Sequence, residues 1–165
     1  MHLLLAQKGA INEGDEAVDL GQEPADVVFL SAADTEIAAM AAAYELNNCN
    51  GLSLRLANLM QLSHPMSVDV YAQNTTAKSR LVIVRVLGGV SYWAYGLEKL
   101  HALACENNVQ LVIIPGDDKP DPQLQRFCTV PFSSCQRVSD YLVQGGPDNM
   151  ARLLDYCQFL LGKGA

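Results

Sequence analysis

Clustered basic residues, paired histidines and aromatic runs are what this sequence lacks. Its 165 residues hold 11 lysines and arginines against 18 aspartates and glutamates, a formal charge of −7, with an isoelectric point near 4.8. No stretch concentrates the positive charge that nucleic acid or an anionic membrane surface requires, so neither is expected as a main partner. A local basic pocket for a small anion stays open. Aromatic residues make up 7% of the chain, too few for a single-strand stacking platform. No apolar run approaches the roughly 20 residues of a membrane-spanning helix. The opening Met1-His2-Leu3-Leu4-Leu5-Ala6-Gln7-Lys8 has neither a basic start nor a small-residue cleavage site, which predicts no secretory signal.

Five cysteines, Cys49, Cys105, Cys128, Cys135 and Cys157, are odd in number and form no C-x-x-C pair. Cys49, Cys105 and Cys157 fall on or beside expected helices, so a reduced, cytoplasmic protein is expected rather than a disulfide framework. Neither G-x-G-x-x-G nor G-x-x-x-x-G-K-[ST] occurs, so the chain alone is not expected to hydrolyse ATP. No local Ser/His/Asp or Cys/His signature marks a nucleophile.

What is present is core material. Half of the residues are hydrophobic and 18% are charged, enough to build one ordinary domain over residues 1–165. Short apolar runs alternate with helical segments. Leu3-Leu4-Leu5-Ala6 reads as a first strand and Val27-Val28-Phe29-Leu30-Ser31 as a second. Leu52-Ser53-Leu54-Arg55-Leu56-Ala57 is a third, whose alternation predicts a less buried position. Leu81-Val82-Ile83-Val84-Arg85-Val86 and Gln110-Leu111-Val112-Ile113-Ile114 are nearly continuous, the mark of strands covered on both faces.

Helices are expected from Asp34 to about Asn47, from Ser63-His64-Pro65 onward, and from Ser91 to Asn107-Asn108. Two more follow near 134–143 and 147–161. Residues 8–25 read as a loop or short hairpin. The alternation predicts an α/β fold, a doubly wound parallel sheet of about five strands, flavodoxin-like or Rossmann-like.

In such sheets ligands bind beyond the carboxyl ends of the strands. The loops leaving those ends gather Asp34, Ser63, His64, Gly88, Gly89, Ser91, Tyr92, Asp117, Asp118 and Lys119, the candidate ligand-binding or interdomain rim. Gly88-Gly89 permits close backbone approach by a ligand at a helix start, or simply a tight connection. The turn Gly116-Asp117-Asp118-Lys119-Pro120-Asp121-Pro122 offers oxygens to a hard cation, or caps its own amides. His64 is a proton carrier or axial ligand, or a satisfied loop histidine. Tyr92, Trp93 and Tyr95 line a pocket or pack a helix, and Trp93 is expected to pack. His2 and His101 are expected to be structural. No catalytic residue and no metal set is assigned. A flavodoxin-type flavin site needs a hydroxyl-rich loop, which Gln7-Lys8-Gly9-Ala10-Ile11 does not provide.

Three of these blocks carry a resemblance. Leu54-Arg55-Leu56-Ala57-Asn58-Leu59-Met60-Gln61-Leu62-Ser63-His64-Pro65-Met66-Ser67-Val68-Asp69, Val84-Arg85-Val86-Leu87-Gly88-Gly89-Val90-Ser91-Tyr92-Trp93 and the acidic turn resemble the N-terminal region of aerobic cobaltochelatase large subunits, the CobN family. The second block also resembles the porphyrin-binding subunit of magnesium chelatase. The resemblance runs from Met1 to about Leu161, whereas family members are very long, so it implies an N-terminal domain alone. It implies a part in ATP-dependent insertion of cobalt into a corrin, hydrogenobyrinic acid a,c-diamide, in cobalamin synthesis. The partners it implies are the remaining domains of the large subunit, an AAA+ ATPase that hydrolyses ATP with Mg, and a companion subunit. No cofactor is assigned to the domain itself. A module serving subunit assembly, and a magnesium-chelatase-type porphyrin-binding domain, are the alternative readings.

Overall fold

Strand direction decides where everything else lies. In the computed structural model, which describes residues 3–5, 16–47 and 51–162, five strands form one sheet in the order β1-β3-β2-β4-β5. They are β1 (Leu3–Leu5), β2 (Val27–Ser31), β3 (Leu54–Asn58), β4 (Leu81–Val86) and β5 (Gln110–Pro115), and every neighbouring pair is parallel. His2, Cys49 and residues 8–15 of the expected loop lie outside the described residues.

Side-chain alternation along the strands splits the core into two layers. Val27, Phe29, Leu54, Leu56, Ile83, Val112 and Ile114 point to one face. There they meet α1 (Asp34–Leu46), α5 (Phe132–Gln144) and α6 (Gly146–Leu160). Val28, Leu30, Ala57, Val82, Val84, Leu111 and Ile113 point to the other face. They meet α2 (Pro65–Asn74), α3 (Ala94–Asn107) and the short α4 (Pro122–Gln125). The helices supply matching stripes, Ile37, Met40 and Tyr44 on α1 and Leu97, Leu100 and Ala104 on α3. A fully buried side chain such as Phe29 contributes about 1.5 to 3 kcal/mol, so these two layers are the main source of stability.

The chain steps from β2 through α1 to β3, then returns past β2 through α2 to β4. Crossovers running in opposite directions put their helices on opposite faces. The reversal falls between β2 and β4, with Ser31 beside Arg85 at the outgoing end of the seam.

Two features depart from the sequence expectations. The third strand is buried along its whole length, because β1 occupies its outer edge. Its Arg55 is accommodated by the carbonyls of Glu23 (2.9 Å) and Leu54 (3.1 Å). The third helix begins at Ala94 rather than Ser91, since a 3₁₀ turn (Val90–Tyr92) intervenes. The described part of the loop or short hairpin expected over 8–25 is a loop, and residues 16–26 form a strap tied to the sheet and α2. The Gln22 amide donates to the Leu56 carbonyl (3.0 Å) and accepts from the buried Tyr71 hydroxyl (2.6 Å). Burial pushes the Tyr71 phenol up, so it stays a neutral donor.

The far edge of the sheet is also closed. Leu111 N donates to Thr129 Oγ1 (2.8 Å), Thr129 N returns to the Leu111 carbonyl (2.9 Å), and Ile113 N reaches Cys128 Sγ (3.2 Å). Residues 128–129 thereby satisfy ladder groups that would otherwise recruit another strand.

Trp93 packs as expected: its buried indole Nε1 donates to the Leu62 carbonyl at 2.9 Å. The ring lies against Gly96 so closely that a Cβ there would fall inside it. Overpacking of about 1 to 3 kcal/mol then exceeds the roughly 1 kcal/mol that alanine contributes to helix propensity. Gly96→Ala is therefore expected to lower stability in urea unfolding. An increase would mean that the tryptophan moves aside freely.

Candidate functional site

The outgoing loops of β2, β3, β4 and β5 meet at one sheet edge, as parallel strands demand, so His64 and Gly88 share it. The floor of this edge is a polar seam. Arg85 forms an ion pair with Glu36 of α1, and donates from Nε to the Pro115 carbonyl (3.3 Å) and from Nη2 to the Gly116 carbonyl (2.9 Å). Glu36 accepts from Ser31 Oγ (2.9 Å), which in turn accepts from Ala33 N (3.1 Å). Beside it, Asn58 Nδ2 donates to Asp34 Oδ1 (2.8 Å) and to the Ala32 carbonyl (3.3 Å). One guanidinium thus joins β2, α1, β4 and the loop after β5. Sequence reasoning passed over Glu36, Asn58 and Arg85; the available signal was a lone arginine inside a continuous V/I/L run, since a buried charge requires a partner.

Above this floor the rim is apolar. Met60, Leu87 and Tyr92 are 54%, 54% and 40% exposed. Two of them touch, with Tyr92 Oη 3.0 Å from Met60 Sδ, and the Tyr92 ring covers Gly88, the residue after Leu87. Leu87 stands so close to Gly116 that a Cβ there would approach the Leu87 Cα to 2.9 Å. Gly89 has φ +79°, a conformation glycine adopts without strain. Because the 3₁₀ turn separates it from α3, the glycine pair does not stand at a helix start.

The remaining sequence-predicted residues divide. His64 is the N-cap of α2, its Nδ1 accepting from Met66 N at 3.0 Å with Pro65 in the first turn. Ser63 and Ser91 are exposed. Asp117 accepts from Lys119 N (3.0 Å), and Asp121 caps α4 by accepting from Gln123 N (3.0 Å) and Leu124 N (3.2 Å). The acidic turn therefore caps its own amides. Among the described residues, no three His, Cys, Asp or Glu side chains gather as a metal cradle. His101 is engaged within the fold, 2.8 Å from the Phe127 carbonyl and edge-on to its ring.

Next to the acidic turn a cavity of about 270 Å³ opens at the end of β5, lined by Asp118, Lys119, Gln125, Phe132 and Cys135 among others. Cys135 ionises more readily than an ordinary thiol because Cys128, and secondarily Gln125, hydrogen-bond to its sulfur, while Cys128 is correspondingly held neutral. The four described cysteines are free thiols. Removing the donor with Cys128→Ala is expected to raise the pH at which Cys135 ionises, read at its ¹³Cβ resonance. An unchanged midpoint would rule out Cys128 as the cause.

The seam yields a second test. Side chains of Arg85 and Glu36 are 12% and 10% exposed, so removing either leaves a largely buried charge. Arg85→Ala or Glu36→Ala is expected to cost about 3 to 5 kcal/mol in urea unfolding. The paired Arg85→Met, Glu36→Met variant should cost clearly less than the sum of the single changes. Simple additivity would show that the two groups are not coupled.

No protein-family model matches the chain. Individual proteins do. It is 53% identical over 161 residues to the aerobic cobaltochelatase subunit CobN of Sinorhizobium sp, covering 98% of this chain and 12% of that protein. It is 40% identical over 149 residues to the aerobic cobaltochelatase subunit CobN of Pseudomonas aeruginosa, covering 90% of this chain and 12% of that one. Among solved structures it is similar to the catalytic subunit of cobaltochelatase from Mycobacterium tuberculosis, with a TM-score of 0.66 and 27% identity over 85% of this chain and 11% of that chain. The chain thus spans about an eighth of the length of its curated relatives. Over that span, in sequence and in fold, it is similar to the CobN subunits of aerobic cobaltochelatases.

Proposed function

We propose that this chain is the N-terminal domain of a cobaltochelatase large subunit, and that its outgoing-loop edge forms one wall of the tetrapyrrole site. The observation that carries the reading is the exposed apolar set Met60, Tyr92 and Leu87 on the outgoing loops of β3 and β4, beside a polar seam that already satisfies its own charges. A macrocycle offers a broad apolar face with polar arms at its margin. The apolar set suits the face; Asp118 and Lys119, exposed beside the cavity, suit the arms. Gly89, which has no side chain, lets the backbone approach the macrocycle closely, while Asp34, Ser63, His64, Gly88, Ser91 and Asp117 shape the edge.

Metal insertion needs a bent ring, a base that removes two pyrrole protons, and donors that strip water from the entering cobalt. The residues described here supply a wall and no donor cluster. Deprotonation and delivery of cobalt, the substrate metal, therefore belong to the rest of the subunit. ATP hydrolysis with Mg belongs to an AAA+ partner acting with a companion subunit. The place of action is the cytoplasm. Among the described residues, no helix is long and apolar enough to cross a membrane.

A second reading has its own support. The seam is so fully paired within the domain that the edge also suits a purely structural contact with neighbouring domains, without touching corrin.

Absorbance titration of the purified chain with hydrogenobyrinic acid a,c-diamide separates the two readings. The wall reading expects a saturable spectral shift, weakened about tenfold, or about 1.4 kcal/mol, by Leu87→Ala combined with Tyr92→Ala. A titration without spectral change, or one indifferent to that double variant, favours the structural contact. The chain alone, given cobalt and ATP, is expected to insert no metal, and measurable insertion would contradict the division of labour described above.

A further inference from the structure

On the outer surface, away from the strand edge, α5 and α6 enclose a groove of about 460 Å³ lined by Arg137, Tyr141, Arg152, Asp155, Tyr156 and Phe159. Its construction is specific. The Arg137 guanidinium lies 5.9 Å from the Tyr141 ring centre and 5.0 Å from that of Tyr156, and its Nε donates to the Tyr141 hydroxyl at 3.2 Å. Tyr156 and Phe159 stack at 5.8 Å with ring planes 18° apart. An arginine resting against two adjoining aromatic rings, whose centres are 6.3 Å apart, has less freedom left to lose, and its unused N–H groups form a ready fork for a carboxylate.

The charge balance is unusual for this molecule. The chain as a whole carries −7, yet this groove sets two guanidiniums against one carboxylate. Among the described residues neither Arg137 nor Arg152 forms an ion pair. Phe159 is 58% exposed. Arginine and tyrosine are the residue types that dominate interface energetics, and exposed aromatic surface of this kind marks a contact site. The CobN relatives extend far beyond the 12% of their length that this chain matches. Most of such a subunit therefore lies outside the matched region and is available to meet it.

We propose that the α5–α6 groove is an interdomain seat for an acidic segment from the remainder of a CobN subunit. Arg137 and Arg152 pair with its carboxylates, while Tyr156 and Phe159 receive its apolar side chains. This inference rests on the similarity to the CobN subunits and is independent of the corrin wall at the strand edge.

The test uses a full-length subunit in which this chain replaces the matching region of the Sinorhizobium relative. Position 159 carries the photo-cross-linker p-benzoylphenylalanine, a modest change from exposed Phe159. The expected product is an intramolecular cross-link to a peptide containing aspartate or glutamate. Its yield should fall roughly fivefold in the Arg137→Glu, Arg152→Glu variant, as expected when attraction becomes repulsion. Should that variant melt earlier than its parent, Arg137→Gln with Arg152→Gln replaces it and the yield should still drop. No cross-link, a target peptide without carboxylates, or links only between separate subunits would overturn the proposal. So would loss of the cross-link on adding hydrogenobyrinic acid a,c-diamide, which would make the groove a corrin site. The arginine variants should leave corrin titration of the isolated chain unchanged, so failure here and failure at the strand edge are distinguishable.

Discussion

The parallel direction of all five strands is the constraint on which the rest of the molecule depends. It sends every outgoing loop to the same edge and every return through a helix, and it places the reversal of strand order between β2 and β4. At that reversal the two strands diverge in their connections, leaving a gap in the backbone ladder's company of loops. Arg85 fills the gap by reaching Glu36 on one side and the carbonyls of Pro115 and Gly116 on the other. A guanidinium suits this role because its planar fork serves several acceptors at once and never loses its charge. With the floor satisfied internally, the surface above it is free to be apolar, and Met60, Leu87 and Tyr92 make it so.

The same economy of contacts explains the strap and the β5 edge of the sheet. Near β3, the segment 16–26 is held by Gln22 and by the carbonyl of Glu23 on Arg55, both of them sites where a polar group would otherwise be stranded in the core. At β5, Thr129 and Cys128 take the free ladder groups. Cys128 thereby stands beside Cys135, which explains why one thiol of the pair ionises readily and the other is held neutral.

The legibility of the chain followed the range of its interactions. β2, at Val27–Ser31, and β4, at Leu81–Val86, could be read to the residue because a strand buried on both faces needs an unbroken apolar run. The burial of β3 could not, because its apparent alternation comes from Arg55, whose Nε acceptor, the Glu23 carbonyl, lies 32 residues away in the strap. The short α4 escaped because four residues led by Pro122 look like loop. At the candidate site, the rim loops were visible from strand polarity alone, and so was the alternative of amide capping that Asp117 and Asp121 fulfil, whereas the N-cap role of His64 was not. The Arg85–Glu36 pair was not visible, since its members are 49 residues apart in sequence and meet only once the sheet is formed. The α5–α6 groove likewise exists only when two helices bring Arg137 against Tyr156.

The account stands on the strand edge being the face that meets the macrocycle. Amide hydrogen exchange of the chain with and without saturating hydrogenobyrinic acid a,c-diamide tests this most directly. Slowed exchange concentrated in residues 59–66, 87–93 and 116–121, with α5 and α6 unaffected, is the predicted pattern. Protection centred on the helices, or none anywhere, would contradict it.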